Sequence, residues 1–492
     1  MTRRSISSVL ADQAVSRPSD IAVIDPTGPM TYRELDIAAT RLARTLLDAG
    51  VVRDDLVEVL LPNSTAFVVA CFAIWRAGAS PMPIDPALDR SERHMLESLA
   101  GPRAVIGGAA LAPGVVLVDG ESASTGSVRP LPDSWARSWK ALPSSGSTGT
   151  PKVVLSASPA LVDPDARVAA FIPREATQLV TAPLWHSTAF TYAFRGLTAG
   201  HRVVIEPGFD EYRFLAAVQR HRVTWTVLSP PSIRRPLRLP ATERARHDLS
   251  SLESVLHIGG RCPIPDKRAL LDWLGADRVV EVYAGSESNG LTMIGGHDWL
   301  AHPGSVGRAI GGTEIAIRRP DGTGADDGEI GEIWLRRGDH PAYRYLGAAS
   351  RRTADGWDTL GDLGHLDDGW LYVMERAADA IRLPDRTVYP ADVEAAVEAH
   401  PDVRGAVAFS LGTTEGPTGV AVLVDIADAD QLPDDIHRII VAQLGDELVP
   451  TQILVTHSPI RNDAGKIRRR ALSGCGTGPA PYSARTRSEN AS

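Results

Sequence analysis

The sequence predicts an α/β protein: a large N-terminal region of doubly wound sheets, a β-rich subdomain, and a small α+β unit at the C-terminal end. Three observations carry this expectation. Short apolar strands alternate with helical segments from the N-terminus to about residue 300. Between residues 303 and 375 the texture changes to short strands and turns. From residue 390 a new helix–strand pattern begins.

The elements follow in order. Thr31 and Glu34 have the spacing of a capping box. Leu35, Ala38, Leu42 and Leu46 then recur with helical period, and Gly50 supplies a stop. Residues 57–61 form a short apolar strand. Residues 66–75 are apolar on nearly every side, which predicts a buried helix, and residues 80–85 a strand. Further strands are expected at 179–182, 203–206, 224–228, 254–258 and 279–283, with helices at 209–221 and 266–274. The β-rich part contributes strands at 314–318, 332–336 and 370–375. In the last unit Pro390 suits the first position of a helix that runs to 397. Strands at 406–410 and 420–425, a helix at 434–448 and a strand at 452–457 follow. Residues 473–492, rich in Gly, Ser, Pro and Ala, predict a disordered tail.

Composition narrows the function classes. At roughly 150 residues per domain, 492 residues suggest about three folding units. The 51 basic and 60 acidic side chains give a net charge of −9, which argues against a nucleic-acid partner held by a global positive field. The longest apolar stretch is ten residues, half of the roughly 20 a membrane span needs, and the N-terminus has no apolar signal core. Cys71, Cys262 and Cys475 lie far apart with no C-x-x-C pair, which disfavours a zinc site or disulfide framework. The expectation is a soluble, cytoplasmic protein, monomer or homodimer, with no membrane partner.

Only four of the basic residues are lysine. Lys140 and Lys267 have no motif around them and are expected to be solvated. Lys152 and Lys466 each close a loop of small residues, where a compact ammonium suits a single phosphate or carboxylate oxygen. The first loop reads Ser144-Ser145-Gly146-Ser147-Thr148-Gly149-Thr150-Pro151-Lys152. Its glycines let backbone N–H groups turn toward an anion, and its hydroxyls add donors. It lacks the Gly-Lys-Ser/Thr ending of a Walker A loop.

This loop resembles the phosphate loop of the adenylate-forming enzymes: acyl- and aryl-CoA synthetases, peptide-synthetase adenylation domains and luciferases. Other segments resemble that superfamily's motifs in the same order. They are Ala182-Pro183-Leu184-Trp185-His186-Ser187, His257-Ile258-Gly259-Gly260, Tyr283-Ala284-Gly285-Ser286-Glu287, His302-Pro303-Gly304-Ser305-Val306-Gly307, Leu360-Gly361-Asp362, and Gly465-Lys466 before Arg468-Arg469-Arg470. The nearest members are the acid–CoA ligases.

The resemblance implies that ATP and Mg²⁺ are used to join AMP to a small acid or oxyanion. Ser144, Ser145, Gly146, Ser147, Thr148, Gly149 and Lys152 would cradle the β- and γ-phosphates, with Glu287 and Thr148 toward the metal. Gly260, Tyr283 and Ser286 would meet the adenine side, Asp362 would accept from the ribose hydroxyls, and Arg376 lies beside them at the hinge. Lys466 would bridge the carboxylate and the α-phosphate. Glu287 and His186 complete the implied catalytic set. Trp185, His186, Ser187, Phe190, Ile258, Gly259, Ala284 and Gly285, with Pro230, would line the acid's pocket. His186 stands where amino-acid-activating members carry an Asp, which disfavours a free amino acid. The bulk of Ile258 favours an aryl or short acid.

The resemblance also implies a domain plan: a large domain at 1–374 with its β-rich part at 303–374, a hinge at 375–379, and a small domain at 380–472. The sequence departs from the superfamily at that hinge, which reads Glu375-Arg376-Ala377-Ala378 where Gly-Arg-x-Asp is usual. Arg382-Leu383-Pro384-Asp385 replaces Lys-x-x-Gly, putting a charge where a glycine normally admits the pantetheine arm. The terminal motif carries Pro459 one residue early. The acceptor in the second step is therefore open: CoA leads, an amine (amide synthetase) or a diazotase-like reaction of nitrite follow, and a non-catalytic nucleotide binder is the remaining alternative.

Overall fold

The structure is a computed structural model that describes residues 3–111, 114–118, 127–145, 151–413, 416–426, 436–445, 448, 450–456 and 460. The expected tail at 473–492, Cys475 and Lys466 lie outside the described residues, as do loop residues 146–150.

The architecture is α/β around one 13-stranded sheet. Six of its strands run parallel, in the spatial order Ile21–Asp25, Arg202–Ile205, Thr177–Val180, Trp225–Leu228, Ser254–His257 and Val279–Ala284. Helices Ser187–Thr198, Glu211–His221 and Ile264–Leu274 supply crossovers between them. The strand cores are short apolar runs because parallel strands are buried on both faces. Their carboxyl ends open together, as ligand sites in such sheets do.

A second, four-stranded parallel sheet is ordered Ser80–Pro83, Leu56–Val59, Ala104–Ile106, Val116–Val118. Helix Thr65–Arg76 lies in one continuous core with residues of both sheets, so every side of it is covered, and all but one of its residues are buried. Its all-round apolar sequence is explained by that placement. Helix Tyr32–Asp48 starts with the capping box expected at Thr31 and Glu34.

The β-rich part is joined to the central sheet. Strand Leu291–Gly295 turns antiparallel to Val279–Ala284, and Ser305–Ala309, Trp370–Arg376, Asp362–Asp367, Gly331–Arg337 and Thr313–Arg318 extend the same sheet. A three-stranded sheet joins Ala141–Ser145, Pro151–Ser156 and Tyr343–Leu346. The last unit pairs Val403–Thr413 with Gly416–Ile426 antiparallel and the latter with Gln452–Thr456 parallel. Helices Pro390–Glu398 and Ile436–Leu444 pack into its core. Charged contacts hold this unit against the large sheet: Arg261 meets Asp392 at 2.6 Å, and Arg234 bridges Asp266 (2.6 Å) and Glu398. Among the described residues no helix is long and apolar enough to cross a membrane.

Two sequence expectations are overturned inside the large sheet region. Lys267 is 1% exposed rather than solvated. Its Nζ lies 3.1 Å from Glu281 Oε2 and 3.2 Å from His257 Nδ1, a charged cluster beneath helix Ile264–Leu274. Burial lowers the His257 pKa, and the Glu281 carboxylate opposes that shift. Lys140 is also buried, for reasons that belong to the site.

Candidate active site

A cleft of about 2430 Å³ opens at the carboxyl ends of the parallel strands. Four of these strands deliver a motif there. After Val180 the chain reaches His186 and Ser187, after Leu228 it reaches Pro230, after His257 it reaches Ile258, Gly259 and Gly260, and after Tyr283 it reaches Ala284, Gly285, Ser286 and Glu287. All of these line the cleft. Gly259 adopts φ +102°, where a side chain is strained. A Cβ on Gly285 would stand 2.7 Å from the Leu360 side chain and 3.0 Å from Glu287 Oε2, so a larger residue there would push both side chains aside.

The phosphate-loop flanks are fixed by antiparallel pairing, with Ser144 opposite Lys152 and both facing the cleft. Lys152 Nζ lies 3.6 Å from Glu287 Oε1 and 3.8 Å from the centre of the Tyr345 ring. Tyr345 donates its hydroxyl to the same Glu287 oxygen at 2.6 Å. Burial lowers the Lys152 pKa, and Glu287 opposes that shift. Burial, and then the Glu287 charge, raise Tyr345 well above the ordinary phenol. Tyr345 was not anticipated; the Tyr-x-Tyr alternation at 343–345 is the one sequence signal of its strand.

In the same cleft Tyr283 donates to Asp362 Oδ2 at 2.7 Å, and Arg376 Nε lies 3.2 Å from Asp362 Oδ1. Strands Asp362–Asp367 and Trp370–Arg376 place this pair directly, since Asp362 and Arg376 are register partners. Burial foremost, then the Asp362 charge, hold the Tyr283 phenol protonated. Asp362 foremost raises Arg376. Among the described residues no cluster of three or more His, Cys, Asp or Glu forms a resident metal site. One buried carboxylate, Glu287, beside an ammonium and a phenol suits a magnesium ion that takes its remaining ligands from phosphates and water.

Phe190 does not line the cleft. It is 0% exposed, with its ring 4.6 Å from Phe194, 5.6 Å from Trp139 and 5.9 Å from Trp75. Helix Ser187–Thr198 explains this: Phe190, Phe194 and Leu197 share its inner face, while Ser187, Thr191 and Arg195 share the face toward the cleft. Burying one phenylalanine this way stabilises by about 1.5–3 kcal/mol. Trp185 precedes that helix and is half-buried. Ser147, Thr148, Gly146, Gly149 and Lys466 lie outside the described residues.

The chain belongs to the AMP-binding enzyme family, whose model matches residues 10–346. It is an adenylate-forming, AMP-forming ligase of that family. It is 27% identical to the long-chain-fatty-acid–CoA ligase FadD13 of Mycobacterium tuberculosis over 504 residues, covering 95% of this chain and 98% of the relative. Indoleacetate–CoA ligase of Aromatoleum aromaticum is 26% identical over 499 residues, covering 92% of this chain and 94% of the relative. The fold is similar to that of o-succinylbenzoate CoA synthetase from Bacillus subtilis in complex with its acyl-adenylate, with a TM-score of 0.80 at 22% identity, covering 96% and 98% of the chains. It is also similar to the amide bond synthetase McbA from Marinactinospora thermotolerans, with a TM-score of 0.76 at 23% identity, covering 96% and 100%.

Proposed function

We propose that this enzyme activates a small aryl or short-chain carboxylic acid as an acyl adenylate and passes the acyl group to CoA. The observation that supports this most is that Lys152 with Glu287, and Asp362 with Arg376, line one cleft beside His186 and Ile258. Two anions must meet for a carboxylate to attack the α-phosphate of ATP, so cations and donors are needed where charge gathers. Ser144, Lys152 and the intervening loop residues hold the β- and γ-phosphates. Glu287 and Thr148 would hold Mg²⁺, which neutralises phosphate charge when bound. Tyr283 lies against the adenine, and Asp362 accepts from the ribose hydroxyls. Lys466 bridges the carboxylate and the α-phosphate. Arg376 leads into a hinge at 375–379 between a large domain at 1–374 and a small one at 380–472.

Asp362→Ala is expected to raise the KM for ATP about 10- to 100-fold, the scale of losing hydrogen bonds to a charged acceptor. The KM for the acid should change far less. An unchanged KM for ATP in a steady-state titration would remove Asp362 from the ribose site. Acid-dependent exchange of pyrophosphate into ATP tests the first step; no exchange with aryl acids, short acids or nitrite would refute the activity.

A second outcome for the acyl group is favoured by one local structure. Strands Ile381–Arg382 and Thr387–Val388 pair across a turn in which Leu383 N–H donates to Arg386 O, and Asp385 pairs with Arg386 at 2.6 Å. That turn presents charged side chains where a glycine backbone admits pantetheine. An amine acceptor fits this departure. Product mass with and without CoA separates the two, since thioester formation requires CoA and amide formation does not.

A further inference from the structure

We propose that Lys140 and Arg195 form an anion-binding subsite in the acid's pocket, so that the acid activated here carries a second anionic group. This rests on the adenylation assigned above and concerns the far end of the same substrate. Lys140 is 5% exposed, and among the described residues its Nζ donates to two neutral hydroxyls, Ser187 Oγ at 2.9 Å and Thr191 Oγ1 at 2.8 Å. A lysine has three N–H donors, and the described residues take two of them. Its ammonium also lies 4.8 Å from the Trp139 ring. Arg195 follows Thr191 by one helical turn on the same face and is exposed where it meets the cleft. Among the described residues neither cation has a carboxylate in an ion pair. The nearest acidic influence on Lys140 is Glu287, which is engaged with Lys152 and Tyr345.

Burying an ammonium without a counter-charge is costly, and the group responds by shedding its proton. Burial foremost, with Arg195 adding to it and Glu287 opposing, pushes Lys140 down to about 7. A built, desolvated cation with hydroxyl supports and a second cation beside it fits a counter-charge that arrives with the substrate. Val227, Ile258, Ala284 and Tyr192 line the same cleft and suit a short carbon frame between two anionic ends.

The test measures binding to the full chain by calorimetry without ATP, and pyrophosphate exchange with ATP. The probes are benzene-1,3-dicarboxylate against benzoate, succinate against butanoate, and nitrite. Wild type is expected to prefer one of the dicarboxylates over its monoacid at least tenfold. Lys140→Met and Arg195→Met should each reduce that ratio at least tenfold, and Arg195→Met decides if Lys140→Met does not fold. No dicarboxylate preference in wild type, or an unchanged ratio in the variants, overturns the subsite. Exchange with nitrite and with no acid also overturns it, giving Lys140 to the adenylated oxyanion itself. A dicarboxylate preference in binding without exchange upholds the subsite and refutes the adenylation.

Discussion

Lys152→Met is expected to lower acid-dependent pyrophosphate exchange about 10²- to 10³-fold, the loss that follows removal of one preorganised charge from a transition state. Lys152 is fixed by its pairing opposite Ser144, and its ammonium is held between Glu287 and the face of Tyr345. The methionine keeps most of the apolar stem, so the change isolates the charge. Lys152→Arg should not restore the rate, because a wide fork with delocalised charge cannot replace a compact ammonium aimed at a single phosphate oxygen. Exchange within threefold of wild type in Lys152→Met would remove this lysine from the phosphate site.

Lys267→Met should be the most destabilising single change, at about 3–5 kcal/mol, because it strands Glu281 as a buried charge. Burial alone would raise the Glu281 carboxyl, but His257 and Lys267 outweigh it and hold it at about 2. A depressed carboxyl stabilises fully above its ordinary 4.5, and that share is lost as pH falls toward 2. His257, lowered by burial, acts in the same direction below 6.5. Urea unfolding at pH 7 measures the first effect, and its pH dependence the second. Adding Glu281→Gln to Lys267→Met should recover part of the loss. A single variant within 1 kcal/mol of wild type would show that the cluster is not a charged unit.

The parallel strands were legible because burial on both faces leaves apolar runs with little polar interruption, as at Trp225–Leu228 and Ser254–His257. The motifs at 182–187, 257–260 and 283–287 were legible because they lie where those strands end. What escaped depends on distant partners. Lys140 finds its hydroxyls 47 and 51 positions away, and nothing beside it in sequence announces them. Phe190 was placed in the pocket because helix Ser187–Thr198 was not anticipated, and without its phase the inner and outer faces cannot be told apart. The strands between 305 and 376 were expected as a smaller unit, yet their pairing continues the central sheet, a register that local pattern does not encode.

Lys152 and Lys466 are expected to act on one Mg·ATP during transfer of AMP. The most direct measurement is acid-dependent ATP–pyrophosphate exchange by Lys466→Ala. A loss of at least about 10²-fold, with nucleotide binding retained, is the expected result. Exchange at the wild-type rate would contradict it.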